Sequence, residues 1–450
     1  MHTPSNSFIH RLRPVPKWAV VVFCLVSIGV SGRQAFWCFS HGPMFADLRI
    51  FTTGMEMVRS GQRHQLYNYD AQQRAQVGLY PETRTDGLLP FNHPAFELLY
   101  YWPISGLSYR TAFLVWAFAN LGLVFLIAWL LALMLPTLRQ ATGIPLALFL
   151  LAFYPTIYVC GEGQDSILFM LLLVLSLCSM KGGRAFLAGF LLALACFKFH
   201  FVLLIAFFVL CLRGKWRGLA GFVSGGALVG GISLAIVGRA MIHDYPAMLR
   251  TQNEMTPWGF TPWFMPNLRG ILEWGLGPWL DIGLIRPVIF MGSAIVGVVA
   301  AWLVLRNRVQ KDEGLIYSVA ILTTILVSYH LHMQDLTMVL LPMLVLAERA
   351  MRDWSLRGAD GREMEGARAS TAWTVVLAIT IGALYLYRIA REPFPYLVFH
   401  GCLLAAPIFA LWVVGLRFLC THADIRKERE CVGHAAPRIE RSAVSAFIIG

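Results

Sequence analysis

Long apolar runs alternate with short polar stretches along the whole chain. Runs of about 20 residues predict membrane-spanning helices, because a helix of that length crosses the hydrocarbon core of a bilayer. The runs at 185–197, 200–212 and 335–348 are short for a full crossing, and broken helices are tolerated where they line a cavity inside the protein. About 12 spans are predicted, at 18–39, 109–135, 144–160, 165–180, 185–197, 200–212, 216–237, 282–305, 314–330, 335–348, 371–388 and 396–419.

The composition agrees with a membrane protein. The chain has 450 residues, of which 57% are hydrophobic and 14% are charged, whereas soluble domains carry about 25% charged residues. The first apolar run is too long for a signal-peptide core and no small-residue cleavage site closes it, so we interpret it as an anchor. The nine cysteines include no CxxC pair, which argues against a disulfide framework or a cysteine metal site.

The basic residues predict the topology. Arg11, Arg13 and Lys17 precede the first span, so the N-terminus is expected in the cytoplasm. The net charge of +12 then falls on the segments predicted to be cytoplasmic, because acidic and basic residues balance elsewhere. We therefore expect both termini in the cytoplasm, a single integral membrane domain over 1–420 and a charged cytoplasmic tail over 421–450. A nucleic-acid partner is not needed to explain the basic balance.

The first outer segment, 40–108, contains a carboxylate at the mouth of a span. A helix from Leu48 to Ser60, ended by Gly61, is predicted directly after Asp47. Asp47 can cap that helix, and a carboxylate at the membrane boundary also favours a functional role. The two interpretations are compatible. A short interfacial or re-entrant helix is predicted after Pro94, and His93 lies four residues before Glu97, so the two side chains can form a local pair.

Further candidate residues lie at the ends of later spans. Gln164 and Asp165 form a polar turn that can bind sugar hydroxyls, although Asp165 can equally cap the next span. Lys198 interrupts two short apolar runs, so it either snorkels towards water or pairs with a phosphate. In the segment 238–281, Asn267 is a candidate sugar ligand and Arg269 can pair with a phosphate.

The segment between the ninth and tenth spans carries His330, His332 and Asp335. These three residues offer metal-ligand atoms, but the histidines are two residues apart and no further cluster completes a closed site, so no metal is expected. The interpretation we prefer is that the two imidazoles face a departing lipid phosphate, with Asp335 in the sugar-binding region.

Seven short motifs follow one another along the chain: FADLRIFTTGMEMVRSG, LYNYD, HPAFELLYYWPISGLSYRTAFLVW, GQDS, AGFLLALACFKFH, MPNLRGIL and SYHLHMQDLTMVLLP. In this order they resemble the polyprenyl-phosphate-mannose-dependent α-mannosyltransferases known as glycosyltransferase family 87, and the resemblance covers about residues 40–345. Two departures are that the family more often has a proline after the lysine at the position of Lys198, and that Asp47 stands alone where other GT-C enzymes have an acidic pair.

The resemblance implies a GT-C-type fold in the cell (inner) membrane and an inverting hexosyl transfer, with mannose as the expected sugar. The donor would be a polyprenyl-phosphate sugar, the acceptor a glycolipid or polysaccharide, and no cofactor would be needed. Asp47 would be the general base on the extracytoplasmic side. Lys198, His330, His332 and Arg269 would bind the donor phosphate. Gln164, Asp165, His93, Asn267 and Asp335 would bind sugar or acceptor.

The alternative hypothesis is a membrane transporter or lipid-linked sugar flippase. A transporter is expected to place ionisable residues near the bilayer midplane and often to show an internal repeat. In this chain the notable charges lie at span ends and no fixed-period repeat is visible. The sequence therefore favours the enzyme.

Overall fold

The computed structural model describes residues 16–41, 47–83, 87–239, 241–255, 262–307, 312–360, 365–391 and 400–432. Within these residues every regular element is helical, which confirms the predicted all-α class. Most of the predicted tail, 433–450, lies outside the described residues. The last helix continues past the predicted domain boundary at residue 420.

The predicted spans fall on observed helices or on pairs of them. The helices of the first half are α1 (Lys17–His41), α2 (Leu48–Arg59), α3 (Tyr69–Leu79), α4 (Leu98–Tyr101), α5 (Tyr109–Met134), α6 (Pro136–Thr142), α7 (Leu146–Ala152), α8 (Tyr154–Glu162), α9 (Ser166–Lys181), α10 (Ala185–Leu194) and α11 (Phe199–Ala206). Those of the second half are α12 (Trp216–Val237), α13 (Met241–Met255), α14 (Leu268–Leu276), α15 (Ile282–Arg306), α16 (Glu313–Val327), α17 (Leu340–Asp360), α18 (Glu365–Arg391) and α19 (Ala405–Val432).

Several of these helices can cross a membrane. Among the described residues five helices are long and apolar enough, on α1, α5, α12, α15 and α19. The segment 185–211 adds a sixth candidate if its two halves, which are bent by 61°, form one unit, and α9, α16 and part of α18 are shorter apolar helices. The total of about 12 spans and the GT-C-type fold stay predictions.

The surface of α15 is suited to lipid. Phe290 is 76% exposed and Val298 is 67% exposed, whereas nearly every residue of α16 is buried. A continuous exposed apolar face of this kind is unfavourable in water and marks contact with another apolar phase. The bundle therefore has a packed interior around α9 and α16 and an apolar outer face.

The bent segment 185–211 begins and ends at the same level of the bundle. A side chain at Gly218, in α12, would contact both Ala185, at the start of α10, and Leu210, near the end of the segment. The α10 and α12 backbones also touch, since a Cβ on Gly189 would collide with the Gly218 carbonyl. The segment therefore leaves this level at Ala185 and comes back to it near Leu210. Lys198, at the break between the two halves, lies at the point farthest from that level.

Polar contacts concentrate at the two ends of the bundle. At one end, which we call the basic end, Arg213 and Lys215 each lie 3.1 Å from a Glu313 carboxylate oxygen. The Glu348 carboxylate accepts a 2.6 Å bond from the Leu138 backbone N–H at this same end. Arg349 lies there beside Asp312. Segments that the sequence predicts to be cytoplasmic thus contact one another, as the predicted topology requires.

A smaller apolar core surrounds α2 at the opposite end. The predicted helix after Asp47 is confirmed, and it ends one residue early, at Arg59, with Gly61 in the left-handed conformation at φ +80°. The Phe51 ring stacks on Tyr101 with centroids 4.0 Å apart, and Tyr101 stacks on Trp116. This stack joins α2 to α4 and α5, so that α2 is held inside the fold and Asp47 is fixed at its start.

Candidate active site

Asp47 occupies the N-terminal end of α2 but does not cap it. Its side chain makes no capping hydrogen bond, so the predicted capping role is wrong. The Gln164 Nε2 atom instead donates to Asp47 Oδ2 at 2.6 Å. The carboxylate therefore faces the turn between α8 and α9.

That turn is fixed by several independent contacts. Gly163 has φ +69°, a conformation that favours glycine, and a side chain on it would collide with Leu48. The Gln164 carbonyl accepts bonds from Trp116 Nε1 and Asn120 Nδ2, each at 3.1 Å. The position of the Gln164 side chain is therefore set by α5 as well as by its own turn.

Lys198 links two carboxylates that are distant in sequence. Its Nζ atom lies 3.1 Å from Asp165 Oδ1 and 2.8 Å from Asp335 Oδ1. All three side chains are buried. Asp165 makes no side-chain capping bond to α9, so its predicted capping role is also wrong. One positive charge between two negative ones leaves this group with a net negative charge, and Lys198 is not exposed to snorkel as one hypothesis held.

His93 and Glu97 extend the same group. The predicted local pair is confirmed, with His93 Nδ1 2.7 Å from Glu97 Oε2, and Glu97 also donates to the Asp165 carboxylate. Burial raises the pKa of Glu97 well above its ordinary value, and burial lowers the pKa of His93 to about 4. Burial thus favours the neutral form of both groups.

These groups also have the spacing of a cation site. The ligand atoms of His93, Glu97 and Asp165 lie within 4.8 Å of one another. The Lys198 ammonium, however, already offsets part of the negative charge of the carboxylates here. The expectation that no metal is needed stays a prediction.

The raised pKa of Glu97 predicts a pH-dependent stability difference. A group with a raised pKa contributes stability that is present below its ordinary pKa and is lost as pH rises through the raised value. The variant Glu97→Gln keeps a donor for Asp165 but cannot ionise. We expect it to match the wild-type melting temperature below pH 4.5 and to exceed it increasingly as the pH rises above that value, measured by thermal unfolding in detergent. A constant difference between pH 5 and 9 would contradict a protonated Glu97.

The 330–335 segment brings imidazoles to this end of the bundle. Asp335 Oδ2 accepts a 2.9 Å bond from the His332 backbone N–H, so the Lys198 contacts also fix His332. The His330 and His332 rings are 4.2 Å apart and nearly perpendicular, and His200 lies beyond them, 6.4 Å from His330. Burial lowers the pKa of both His330 and His332. Burial thus favours the neutral imidazoles, and a bound anion would act in the opposite direction by raising their pKa values.

Arg269 and Asn267 support the same segment from α14. Asn267 caps α14 by accepting from the Gly270 N–H, and its Nδ2 donates to the Ser328 carbonyl at 2.7 Å. Arg269 contacts Glu273 at 2.7 Å and lies over the Tyr329 ring at 3.9 Å. Asn267 is fully buried with both amide atoms engaged, so its position gives no support to direct sugar binding.

The surroundings of Asp47 shift its pKa in both directions. Burial raises it, while the Gln164 hydrogen bond and the charges of His332, Arg49 and Lys198 act in the opposite direction. A carboxylate whose basicity is raised is suited to accept a proton from a substrate hydroxyl. Arg49, which is buried, is the residue that the sequence analysis missed; an arginine on a mostly apolar helix was the available signal.

The structure thus brings most of the predicted residues to one end of the bundle. Asp47, Gln164, Asp165, Lys198, His93, His332 and Asp335 are linked by direct contacts or by mutual charge effects. His330, Arg269 and Asn267 adjoin them through the 328–332 segment. Residues from six separate stretches of the chain therefore share one site.

Comparisons with known proteins give one match. The model of glycosyltransferase family 87 matches residues 91–328, a range that includes Gln164, Asp165 and Lys198. Asp47 and the 330–335 segment lie outside the matched range. Searches of curated proteins and of solved structures found no match to the chain.

Proposed function

Because this chain belongs to glycosyltransferase family 87, we propose that it moves a hexose from a polyprenyl-phosphate sugar to an acceptor hydroxyl, with Asp47 as general base. We assign mannose as the sugar and a glycolipid or polysaccharide as the acceptor. The observation that carries the proposal is the carboxylate of the half-buried residue Asp47, held by Gln164 within the field of His332, Arg49 and Lys198.

The reaction is a single displacement with inversion at the anomeric carbon. The acceptor oxygen forms a bond to that carbon as its proton passes to Asp47. The bond between the anomeric carbon and the phosphate oxygen breaks, and polyprenyl phosphate leaves with the electron pair. Asp47 then releases its proton to water. No other reactant is required.

The departing phosphate needs hydrogen-bond donors and positive charge. We assign this role to His330 and His332, because the imidazoles are neutral before an anion arrives and can be protonated when one binds. Arg269 is paired with Glu273 but bonds to the same segment at Tyr329, so we assign it a supporting part in the same role. Lys198 is already paired with Asp165 and Asp335. We therefore give it the role of holding the His332 segment in place, with its charge acting on the site at longer range.

The basic end supports an extracytoplasmic site. The segments rich in lysine and arginine meet at the end of the bundle opposite Asp47, and such segments face the cytoplasm in membrane proteins. We infer that the chain lies in the cell membrane with both termini cytoplasmic. The site then opens towards the outer leaflet, where a lipid-linked donor and a glycan acceptor can meet.

Membranes from cells that express this chain test the proposal. They are expected to transfer label from polyprenyl-phosphate-[14C]mannose to extracted membrane lipids, and membranes from cells without it are not. Parallel assays with the glucose, galactose and arabinose donors identify the sugar. Transport of the intact labelled lipid across sealed vesicles, without a glycosylated product, would instead favour the transporter or flippase.

A further inference from the structure

We propose that Gln164 positions the base Asp47 and that its Oε1 atom receives a second hydroxyl of the acceptor, so that the acceptor is a vicinal diol. This inference rests on the proposed function. It adds a residue role and a substrate class: a sugar ring or polyol with a free hydroxyl next to the one that is glycosylated.

The orientation of the Gln164 amide follows from the chemistry of its partner. An ionised carboxylate only accepts hydrogen bonds, so Asp47 requires the NH2 group of the amide to face it. The Oε1 atom must then point away from Asp47. It is buried and has no hydrogen-bond partner within the described part of the chain, and such an atom is unfavourable unless a ligand or water satisfies it.

Contacts of the Gln164 backbone fix the point from which its side chain extends towards Asp47. Its carbonyl is held by Trp116 and Asn120, and the preceding Gly163 packs against Leu48 at the start of α2. These contacts tie the Gln164 turn to the same helix that begins at Asp47. The carboxylate and the amide are therefore fixed relative to each other before a substrate binds, as preorganised catalysis requires.

The spacing suits two neighbouring hydroxyls. The oxygen and nitrogen of an amide are about 2.3 Å apart by standard bond lengths, and Nε2 lies 2.6 Å from Asp47 Oδ2. Oε1 is thus at most about 5 Å from the basic oxygen. One hydroxyl can give its proton to Asp47 while the adjacent hydroxyl donates a hydrogen bond to Oε1.

The other groups that act on Asp47 must be considered in any test by pH. The charged and titratable groups around it are Arg49 on its own helix, Lys198, His332, Tyr101 and Tyr109. None of these is altered by a change at position 164. A shift in the pH profile of a Gln164 variant therefore reports the loss of the amide contact.

Two substitutions separate positioning from folding. Gln164→Leu removes both hydrogen-bonding atoms, and Gln164→Glu removes the donor while it adds a like charge beside Asp47. Each is expected to move the acidic limb of the kcat/KM profile to higher pH, with the larger shift for Glu, because Asp47 loses the bond that favours its ionised form. At pH 7 we expect kcat/KM to fall about tenfold or more.

Gln76 provides a matched control. It is a buried glutamine whose two amide atoms bond to the Leu89 backbone at 3.1 Å each. Its side chain therefore has a structural role and no part in holding the catalytic carboxylate. Gln76→Leu is expected to lower the melting temperature without moving the acidic limb. If Gln164→Leu behaves like Gln76→Leu, the positioning role is refuted.

The diol is tested without knowledge of the acceptor. Extracted acceptor lipids are treated with periodate, which cleaves vicinal diols to aldehydes, and then with borohydride, which reduces those aldehydes, before assay with polyprenyl-phosphate-[14C]mannose. Transfer by the wild-type protein is expected to be lost, and full transfer to treated lipids would overturn the diol assignment. If untreated lipids receive no label at all, the proposed function fails; if they do and the Gln164 profiles are unshifted, only this inference fails.

Discussion

Asp47→Asn is expected to abolish glycosyl transfer while the protein stays folded. The substitution keeps the shape of the side chain and an oxygen that accepts from Gln164 Nε2, but it removes the basic group. Loss of general-base catalysis typically costs about 100- to 10,000-fold in rate. Because burial raises the pKa of Asp47, a neutral amide is not expected to reduce stability. The measurement is kcat/KM with the labelled donor, alongside thermal unfolding in detergent.

Asp70→Asn is the matched control for Asp47→Asn. Asp70 is an exposed aspartate in the first turn of α3, in the same outer segment. We expect its variant to retain activity within about twofold, as surface substitutions usually do. Near wild-type transfer by folded Asp47→Asn protein would remove Asp47 from the mechanism, whatever the family membership.

Lys198→Met is expected to be the most destabilising of these single changes. It leaves the Asp165 and Asp335 carboxylates, both within 3.1 Å of the ammonium, buried without their shared partner. Removing one partner of a buried ion pair typically costs about 3–5 kcal/mol. Transfer should fall as well, because Asp335 also holds the His332 backbone at 2.9 Å. A lowered melting temperature together with lost activity is the expected result.

The cause of the lost stability is tested by removing the two carboxylate charges that Lys198→Met leaves unpaired. The triple variant Lys198→Met, Asp165→Asn, Asp335→Asn carries no net charge at this position and should recover much of the melting temperature. Lys181→Met, at an exposed lysine in the last turn of α9, should leave both properties unchanged. If the triple variant is no more stable than Lys198→Met alone, buried charge is not what Lys198 neutralises.

Hydropathy predicted the helices well because a bilayer restricts a chain so strongly. Every backbone polar group at membrane depth must bond within its own helix, so an apolar run of sufficient length leaves few alternatives. The helices at 109–134, 216–237 and 282–306 therefore match their predicted spans closely. The helix end at Gly61 and the His93–Glu97 pair were also predicted correctly, because both depend on residues a few positions apart.

Predictions made from neighbouring residues were wrong where a side chain has a partner that is distant in sequence. Asp47 and Asp165 both stand directly before helices, which is the usual place for a cap, yet neither side chain caps. A cap satisfies one backbone N–H, whereas Asp165 gains a buried ammonium and Asp47 gains the Gln164 amide. In a buried setting the ionic or side-chain partner outweighs the cap, and its position is set by tertiary contacts alone.

The sequence by itself determined the all-helical class and the family membership, and it picked out the residues that could carry the chemistry. Only the tertiary structure decided which of them meet: it placed Lys198 between Asp165 and Asp335, and Gln164 against Asp47. The physical reason is the range of the interactions. Helix formation depends on hydrogen bonds four residues apart. The Gln164–Asp47 and Lys198–Asp335 contacts join residues more than 100 positions apart, and the packing of the helices brings them together.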